Sequence, residues 1–175
     1  MNIIGNKVIL RAIEEWDNEI LKQLVNDPET EKMIGGYSYP ISKEHQLNWF
    51  HSLNDSTGGP TLRCMIADQK SKETGLGTIL LSQLDWKNGT AEIHIKLVKN
   101  AHGKGYGTDA VHTMVSYAFQ ELRMNCIYSN ILEDNKASRK LFEKCGFEQE
   151  GVLRSRVFKG ACYRNVCCYS ILRGI

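Results

Sequence analysis

The sequence predicts a mixed α+β fold, in which a mostly antiparallel central sheet is flanked by about four helices. Three observations support this prediction. Residues 61–98 read as strands separated by short turns, which is the pattern of an antiparallel meander. A glycine-rich loop at residues 102–108 then leads into a long helical pattern and a further strand. Residues 149–172 read as a closing hairpin.

The chain begins with a strand and a helix. Residues 7–12 carry mainly aliphatic and β-branched side chains, which is typical of a strand. Apolar residues then recur at helical spacing over residues 20–25. This helix is expected to stop near residues 26–28, where Asn, Asp and Pro follow one another.

The next segment combines an irregular stretch with a second helix. Residues 29–40 contain a Gly-Gly pair, two tyrosines and a proline, so we expect irregular backbone there. Ser42 is placed to cap a helix whose apolar residues line one side. That helix is expected to end before residues 56–60, which are Ser, Thr, Gly, Gly and Pro.

Three strands follow, over residues 61–67, 76–84 and 91–98. A polar turn at residues 68–73 separates the first two strands. Residues 87–90, Lys-Asn-Gly-Thr, predict a hairpin turn between the second and the third. Because the connections are this short, neighbouring strands are expected to be antiparallel.

The C-terminal half of the chain repeats the alternation of helix and strand. The helical pattern after the glycine loop covers residues 110–122, and the strand over residues 125–131 should run parallel to the strand before the loop. A further helix over residues 135–145 is terminated by Gly146. The hairpin strands are residues 149–159 and 163–172. No repeat or linker interrupts the pattern, so residues 1–175 are expected to form a single domain.

Composition restricts the classes of function. The 22 basic and 20 acidic residues give a net charge of +2, which argues against a dedicated nucleic-acid partner. No apolar run approaches the ~20 residues of a membrane span, and no apolar signal segment opens the chain, so a cytoplasmic protein is expected. The six cysteines are expected to be reduced thiols. No metal site is predicted, because C-x-x-C pairs are absent and no histidine lies at finger-like spacing from a cysteine.

The glycine loop is the strongest chemical signal. Residues 102–108 read His-Gly-Lys-Gly-Tyr-Gly-Thr, and glycines at alternate positions permit positive φ and close approach of main-chain N–H groups to a ligand. The following helix adds the positive end of its dipole, which favours an anion such as phosphate. A loose dinucleotide fingerprint and a ligand-free strand-to-helix turn would give a similar pattern. A P-loop is excluded, because no Gly-Lys-Ser/Thr follows at the required spacing.

Two separated motifs resemble one known family. Residues 102–107 resemble the R/Q-x-x-G-x-G/A coenzyme A signature of the GCN5-related N-acetyltransferases, the GNAT family. Residues 135–147, with Asn-Lys-Ala-Ser and then Leu-Phe-Glu-Lys-Cys-Gly-Phe, resemble its second motif. Residues 150–154 are similar to the branch that contains the ribosomal-protein-alanine N-acetyltransferases. The predicted order of elements also matches this family across nearly the whole chain.

The resemblance implies that acetyl-CoA binds between two strands. In the family fold, the fourth and fifth core strands splay apart, here beyond residue 98 and before residue 125, and the arm of the coenzyme lies in the gap. Backbone groups of Leu97, Val98 and Lys99 would bind that arm and polarise the thioester carbonyl. The implied cofactor-binding residues are Leu97, Val98, Lys99, His102, Gly103, Lys104, Gly105, Tyr106, Gly107, Thr108, Asn135, Ser138 and Phe142.

Two positions depart from the family pattern. His102 stands where Arg or Gln is usual, and it offers a ring N–H but no fixed charge. Phe142 stands where many relatives have a tyrosine proposed as general acid, and phenylalanine has no proton to donate. Two further positions have more than one interpretation. Lys104 is either a phosphate ligand or a solvated loop lysine. Asn135 is a ligand of the coenzyme arm, the N-cap of the helix, or both.

Acetyl transfer to nitrogen requires a neutral amine. An amine with a pKa of about 10.4 is neutral in only about one molecule in 2,500 at pH 7, so it needs a proton acceptor. Residues 91–97 alternate, which places Glu92, His94 and Lys96 on one face of the strand. Glu92 is the first candidate for the general base, acting through a water, and His94 is the candidate relay or alternative base. The same pattern would arise if these residues formed a salt-linked network or simply faced solvent. Water or Tyr128 is expected to supply the late proton to the leaving thiolate.

The acceptor amine is left open. Relatives in this family acetylate protein N-termini, polyamines, amino sugars and aminoglycoside-like antibiotics. Tyr37, Tyr39 and Trp86 are candidates to shape the amine pocket, although aromatic residues in turns also serve simply to cover a core. Acidic side chains in the N-terminal third mildly favour a cationic acceptor. These acids are Glu14, Glu15, Asp17, Glu29 and Glu31.

The sequence therefore predicts a cytoplasmic, acetyl-CoA-dependent N-acetyltransferase in which the amine attacks the thioester directly in a ternary complex. A covalent route through Cys145 is not predicted, because its neighbours in sequence include no activating base. The alternative is a non-catalytic coenzyme A sensor or interaction module. A nucleotide-binding oxidoreductase is disfavoured, because the glycine loop follows an antiparallel meander and does not open a first βαβ unit. The strand-rich residues 149–172 are the candidate surface for a homodimer.

Overall fold

One eight-stranded sheet organises the molecule. The computed structural model describes residues 1–36, 39–53 and 61–174. The strands are β1 (Ile3–Ile4), β2 (Val8–Arg11), β3 (Leu62–Asp68), β4 (Gly75–Asp85), β5 (Thr90–Leu97), β6 (Cys126–Leu132), β7 (Glu148–Lys159) and β8 (Cys162–Leu172). Their order is β1-β2-β3-β4-β5-β6-β8-β7, and every neighbouring pair except β5–β6 is antiparallel. The predicted mixed, mostly antiparallel fold is confirmed.

Five α-helices accompany the sheet in the described part of the chain. They are α1 (Asn18–Asn26), α2 (Pro28–Lys32), α3 (Lys43–Leu53), α4 (Tyr106–Gln120) and α5 (Lys136–Lys144). Four of them match predicted helices. The expectation of irregular backbone is wrong for residues 29–32, because the Asp27 side chain accepts a hydrogen bond from the Thr30 N–H and Pro28 occupies the first turn. Both features start a short helix.

The two parallel neighbours, β5 and β6, pair over three residues only. Residues 90–92 lie opposite residues 126–128, and no further pair joins the two strands. β5 continues to Leu97 and β6 to Leu132, so the strands diverge beyond the paired segment. They are the fourth and fifth core strands of the sequence prediction, because the short β1 was not predicted. The splay expected from the family resemblance is confirmed.

One face of the sheet is buried against α4. Ala91 and Ile93 of β5 are 0% exposed, as are Ala110, Val111 and Met114 of α4, and all five belong to the main core cluster. The alternation of β5 therefore places its apolar residues in the core, as the sequence predicts.

The opposite face of the sheet is polar where β3, β4 and β5 meet. Strand pairing aligns Arg63 of β3 with Leu80 of β4, and Leu80 with His94 of β5. Residues of α1 and α3 line the same cavity as these strand residues, so the two helices lie over this face. The polar row of β5 consequently opens into a cavity instead of bulk solvent.

Asp109, in the first turn of α4, ties the helix to the start of β2. Its carboxylate accepts hydrogen bonds from the main-chain N–H groups of Asn6 (3.2 Å), Lys7 (2.7 Å) and Val8 (3.0 Å). A Cβ on Gly5 would lie 2.6 Å from Asp109 Oδ2, so glycine permits this close approach. The contact fixes the N-terminal end of α4, and with it the glycine loop, against the sheet.

Gly77 lets β4 approach β5 closely beside the polar face. Its φ is +151°, and a Cβ at this position would lie 2.0 Å from the Lys96 carbonyl oxygen. Any side chain here would therefore force the backbone apart. The glycine fixes the backbone position of Lys96.

Candidate active site

The glycine loop lies at the N-terminal end of α4, as the sequence predicts. Gly103 and Gly105 have φ values of 72° and 84°, and Gly105 directly precedes the helix. Within the described residues, no acceptor is found for the main-chain N–H groups of residues 103–108. These groups point from the positive end of the helix dipole, where they can bind an anion such as a diphosphate.

The loop contains His102 and Lys104, and Lys7 lies beside it. Lys7 Nζ donates a hydrogen bond to the Lys104 carbonyl oxygen at 2.9 Å, so the Lys7 ammonium group lies against the loop. His102 is exposed, and its Nε2 lies 3.1 Å from the Leu97 carbonyl oxygen. The imidazole therefore links the loop to the end of β5. Positive-φ glycines, free N–H groups and adjacent cations fit the diphosphate of coenzyme A.

The side chains of the remaining loop residues have structural contacts. The Tyr106 hydroxyl donates a hydrogen bond to Asp68 Oδ2 at 2.6 Å, and this bond raises the pKa of the phenol. A Cβ on Gly107 would lie 3.2 Å from Leu97 Cδ1, so glycine allows α4 to lie close to β5. Thr108 is half-buried in the first turn of α4. These three residues can offer main-chain N–H groups to a ligand while their own contacts hold α4 in place.

The end of β5 lines a cavity of about 410 Å³. Leu97, Val98 and Lys99 all contribute to its wall. The Val98 N–H donates a hydrogen bond to the Leu76 carbonyl oxygen at 2.9 Å, so it is already used. The Lys99 N–H has no acceptor within the described residues, and the Lys99 ammonium lies 3.4 Å from Asp27 Oδ1.

Asn135, Ser138 and Phe142 line a second, larger cavity from the side of α5. Asn135 caps the helix, because its Oδ1 accepts a hydrogen bond from the Ser138 N–H at 3.1 Å, and its Nδ2 donates to the Met33 carbonyl oxygen at 3.0 Å. Phe142 is 1% exposed and packs edge-to-face on Phe147, with ring centroids 4.9 Å apart. Phe142 is thus a core residue that forms part of the cavity wall.

The larger cavity has a volume of about 670 Å³ and lies over the polar face of the sheet, next to the splay. This volume is within the usual range of small-molecule sites, about 300–1,000 Å³. Its charged and polar lining includes His45, Gln46, Arg63, Glu92, His94, Lys96, Ser129 and Asn130. Among the described lining residues, Glu92 is the only acid.

Glu92 is the centre of a hydrogen-bonded network in this cavity. Its Oε1 accepts a hydrogen bond from Asn130 Nδ2 at 3.0 Å, and its Oε2 lies 3.6 Å from His94 Nε2. The same histidine nitrogen lies 3.0 Å from Ser82 Oγ. The side chain of Glu92 is 16% exposed and that of His94 is 42% exposed. The four residues come from β4, β5 and β6, so the network exists only when the sheet is assembled.

The network keeps Glu92 ionised. Burial raises the pKa of the carboxyl group, but the contacts with His94 and Asn130 outweigh burial and hold the pKa below its ordinary value. The carboxylate is therefore available as a proton acceptor at neutral pH. Tyr128 lies opposite Glu92 in the parallel pairing, and burial, followed by the charge of Glu92, raises the pKa of its phenol. Tyr128 is not among the described residues that line the larger cavity.

The described structure does not bring the predicted aromatic acceptor residues to the cavity. Tyr39 is 73% exposed, and Trp86 is 59% exposed in the turn after β4; neither is among the described lining residues. Tyr37 lies outside the described residues. Trp49 of α3 does line the cavity, and its ring centroid lies 5.5 Å from the Arg63 guanidinium carbon.

Reasoning from sequence missed several side chains of this site, among them Ser82, Trp49, Arg63 and Asn130. Arg63 carries a usable signal, because its sequence neighbours Leu62 and Cys64 face the core, so strand alternation places Arg63 on the opposite face, where the cavity lies. Ser82 and Asn130 carry no such signal, since only strand pairing brings them to His94 and Glu92.

Cys145 is not arranged for nucleophilic catalysis. The side chain is 3% exposed, its Sγ lies 3.8 Å from the Thr108 carbonyl oxygen, and burial raises the pKa of the thiol to about 11. A thiolate is therefore scarce at neutral pH. All six cysteines are free thiols. Within the described residues, no group of three or more metal-ligating side chains is found, and no helix is long and apolar enough to cross a membrane.

Comparison with known proteins decides the family. The family model described as the acetyltransferase (GNAT) domain matches residues 7–148, most of the chain. The chain belongs to the GNAT acetyltransferase family. The predicted class, an acetyl-CoA-dependent N-acetyltransferase, is thereby confirmed for this GNAT acetyltransferase.

Individual relatives cover nearly the whole of this GNAT acetyltransferase. It is 31% identical to uncharacterized N-acetyltransferase p20 of Bacillus licheniformis, over 95% of this chain and 93% of that protein. It is 27% identical to YdaF of Bacillus subtilis, whose name proposes a ribosomal N-acetyltransferase, over 97% of this chain and 93% of YdaF. The crystal structure of spermidine N-acetyltransferase from Vibrio cholerae in complex with CoA and spermine matches with a TM-score of 0.84 and 23% identity, over 95% of each chain. This last similarity establishes the shared fold.

Proposed function

We propose that this GNAT acetyltransferase transfers an acetyl group to a primary amine by direct attack of the amine on the thioester, with both substrates bound together. The observation that carries the proposal is the ionised Glu92, which His94 and Asn130 hold inside the larger cavity where β5 and β6 diverge. A largely buried carboxylate beside a histidine, open to a cavity of small-molecule size, is suited to accept a proton from a bound amine.

The donor, acetyl-CoA, supplies an acetyl group activated as a thioester. The free N–H groups of residues 103–108 would hold its diphosphate, with Lys7 and Lys104 neutralising charge. Main-chain groups at residues 97–99 would bind the amides of its arm. Asn135, Ser138 and Phe142 would line the reacting end from α5. His102 would hold the loop in position through its contact with β5.

Glu92 would accept the first proton that the ammonium group loses, directly or through a water. The neutral nitrogen can then form the N–C bond while the C–S bond breaks. The second proton leaves the nitrogen and ends on the departing thiolate. His94, the more exposed of the two residues, would pass the first proton to solvent, and Tyr128 or a water would relay the second proton from the nitrogen to the thiolate.

Glu92→Gln tests this role. The variant keeps the shape and the contact with Asn130 but removes the basic oxygen, so the rate of thiol release should fall by about a hundredfold or more. The dissociation constant for coenzyme A should stay unchanged, because Glu92 is not among the implied donor residues. Glu148→Gln, on the exposed start of β7, is the matched control and should retain full turnover. Equal turnover in both variants would remove Glu92 from the mechanism.

A panel of amines separates an enzyme from a coenzyme A sensor. The panel would contain peptides with free N-termini, polyamines, amino sugars and aminoglycosides, the acceptor classes implied by the family. Turnover of any member supports acetyl transfer, whereas tight coenzyme A binding without turnover of any member supports the sensor. Thermal melting with coenzyme A provides the binding measurement, since a ligand at 100 times its dissociation constant stabilises by about 2.7 kcal/mol.

We also propose how the chain works in the cell. It acts as one acetyltransferase domain in the cytoplasm, without a nucleic-acid partner. Exposed apolar side chains on the C-terminal hairpin support a homodimer through that surface. They are Val152, Leu153, Phe158, Tyr163 and Leu172.

A further inference from the structure

Two cations face the larger cavity without a carboxylate partner in the described part of the chain. Arg63 of β3 and Lys96 of β5 both line the cavity, and none of the ion pairs found among the described residues includes either of them. Burial lowers the pKa of both groups, and repulsion by Arg63 lowers that of Lys96 further. A half-buried charge costs free energy unless an opposite charge approaches it.

The two cations stand at defined positions relative to the proposed base. Glu92 lies two residues before His94 on β5, and Lys96 lies two residues after it, about 7 Å along the strand. β4 lies between the strands that carry Arg63 and His94, so the backbones of these two residues are about 10 Å apart. The Trp49 ring beside its guanidinium restrains this side chain. The cavity is thus acidic near Glu92 and cationic near Lys96 and Arg63.

The charge balance disfavours a polycationic acceptor. The described lining contains two cations, Arg63 and Lys96, against one acid, Glu92. Two of the acids that favoured a cationic acceptor in the sequence are paired elsewhere. Asp17 Oδ2 lies 2.7 Å from Arg11 Nη1, and Glu31 Oε1 lies 2.5 Å from Lys159 Nζ.

We infer that the acceptor is a small amine that also carries an anionic group, a carboxylate or a phosphate, which Arg63 and Lys96 bind while the amine lies at Glu92 and His94. The inference rests on the proposed acetyl transfer in the same cavity and names its substrate class. A guanidinium can bind a carboxylate or phosphate through two parallel hydrogen bonds, and an ammonium adds a compact charge. A polyamine would meet both cations as like charges.

Matched acceptor pairs test the anionic group. Glycylglycine and glycylglycinamide, 4-aminobutanoate and 4-aminobutanamide, and 3-aminopropylphosphonate and propylamine differ mainly in the anion. We expect kcat/KM for thiol release to be about tenfold to a hundredfold higher for the anionic member, and spermidine to react poorly. The phosphonate pair separates a phosphate preference from a carboxylate preference. If no anionic member reacts or binds better than its neutral partner, the inference is wrong.

Substitution of each cation locates the effect. Arg63→Gln and Lys96→Gln should each remove most of the preference for the anionic member of each acceptor pair. Arg63→Lys should keep part of this preference. Lys70→Gln and Lys87→Gln, at exposed positions away from the cavity, remove the same charge and should leave the preference intact. The dissociation constant for coenzyme A should not change in any of these variants. A weakening of coenzyme A binding that matches the lost preference would assign the two cations to the donor instead.

Equilibrium binding separates this inference from the proposed function. Each acceptor pair is titrated into the protein saturated with coenzyme A. Tighter binding of the anionic members without thiol release from acetyl-CoA would refute acetyl transfer and leave the anion site standing. Thiol release with anionic and neutral amines alike would refute the anion site and leave acetyl transfer standing.

Discussion

Glu92 Oε1 and Asn130 Nδ2 lie 3.0 Å apart and join the last paired residue of β5 to a residue of β6 that lies just beyond the pairing. The bond crosses the gap between β5 and β6 where the two strands begin to diverge. It also fixes one carboxylate oxygen, while the other faces His94. The position and the pKa of the proposed base therefore depend on a residue from the neighbouring strand.

Asn130→Asp replaces this donor with a second carboxylate of nearly the same shape. Asn130 helps to hold the pKa of Glu92 below its ordinary value, whereas a neighbouring negative charge raises it. Because the base works only when ionised, the acidic limb of the pH profile of kcat/KM should move to higher pH. The measurement is thiol release across the acidic and neutral range.

The same variant should alter the pH dependence of stability. In the wild type, the lowered pKa of Glu92 contributes stability above the pKa of the unfolded chain, and this contribution is lost as the pH falls through the folded-state pKa. In Asn130→Asp this contribution should be absent. Asn2→Asp, at the exposed N-terminus, is the control for the added charge. An unchanged acidic limb in Asn130→Asp would mean that another group sets it.

Gly103→Ala tests the anion loop. The residue has a φ of 72°, and a Cβ would meet nothing within 4 Å, so the cost is backbone strain of about 1 kcal/mol without a steric clash. Relief of that strain should reorient the N–H groups and weaken coenzyme A binding by about tenfold. The melting temperature should fall by about 2–4 °C. Gly151→Ala, also without near neighbours but without a positive φ, should change neither quantity.

Asp17→Asn should destabilise the fold strongly. Asp17 is 2% exposed and accepts hydrogen bonds from both terminal nitrogens of the 8%-exposed Arg11, at 2.7 and 2.9 Å. Loss of the carboxylate leaves a buried guanidinium without its counter-charge, which costs about 3–5 kcal/mol. Urea unfolding gives the difference. Asp134→Asn breaks a solvent-exposed pair with Arg164 and should cost about 1 kcal/mol or less; a similar loss in both variants would contradict this account.

Cys145→Ala should retain acetyl transfer. Burial raises the pKa of this thiol to about 11, so a covalent acetyl-cysteine route is disfavoured. We expect kcat within about threefold of the wild-type value, with some loss of thermal stability from the smaller core side chain. Cys162→Ala, at an exposed position, is the control. Loss of turnover together with an acetylated Cys145 in the wild-type enzyme, detected by mass spectrometry, would overturn direct transfer.

Local signals in the sequence were enough to predict most elements of the fold. Ser42 caps α3, with its Oγ accepting a hydrogen bond from the His45 N–H at 3.1 Å. Gly146 has a φ of 87° just after α5. Such signals act within a few residues, so they do not depend on the rest of the chain. The short helix α2 was missed, because the Gly-Gly pair that follows obscured the Asp27-Pro28 start.

The sequence predicted only part of the candidate site. The alternation of β5 correctly separated Glu92, His94 and Lys96 from the core, because side chains of a strand alternate between the two faces of a sheet. The roles of these residues stay predictions. Alternation cannot reveal what lies opposite a residue, since that depends on the order and register of strands distant in sequence.

The sequence by itself determined the order of most elements, the glycine loop and the family motifs, because each depends on short-range backbone preferences or on a contiguous pattern. Only the tertiary structure decided which side chains meet in the cavity. Asn130 reaches Glu92 across 38 positions of the chain, and Asn135 reaches the Met33 carbonyl across 102. Arg63 and Lys96 share one cavity because β4 lies between their strands. Contacts of this kind arise from packing, which no local pattern encodes.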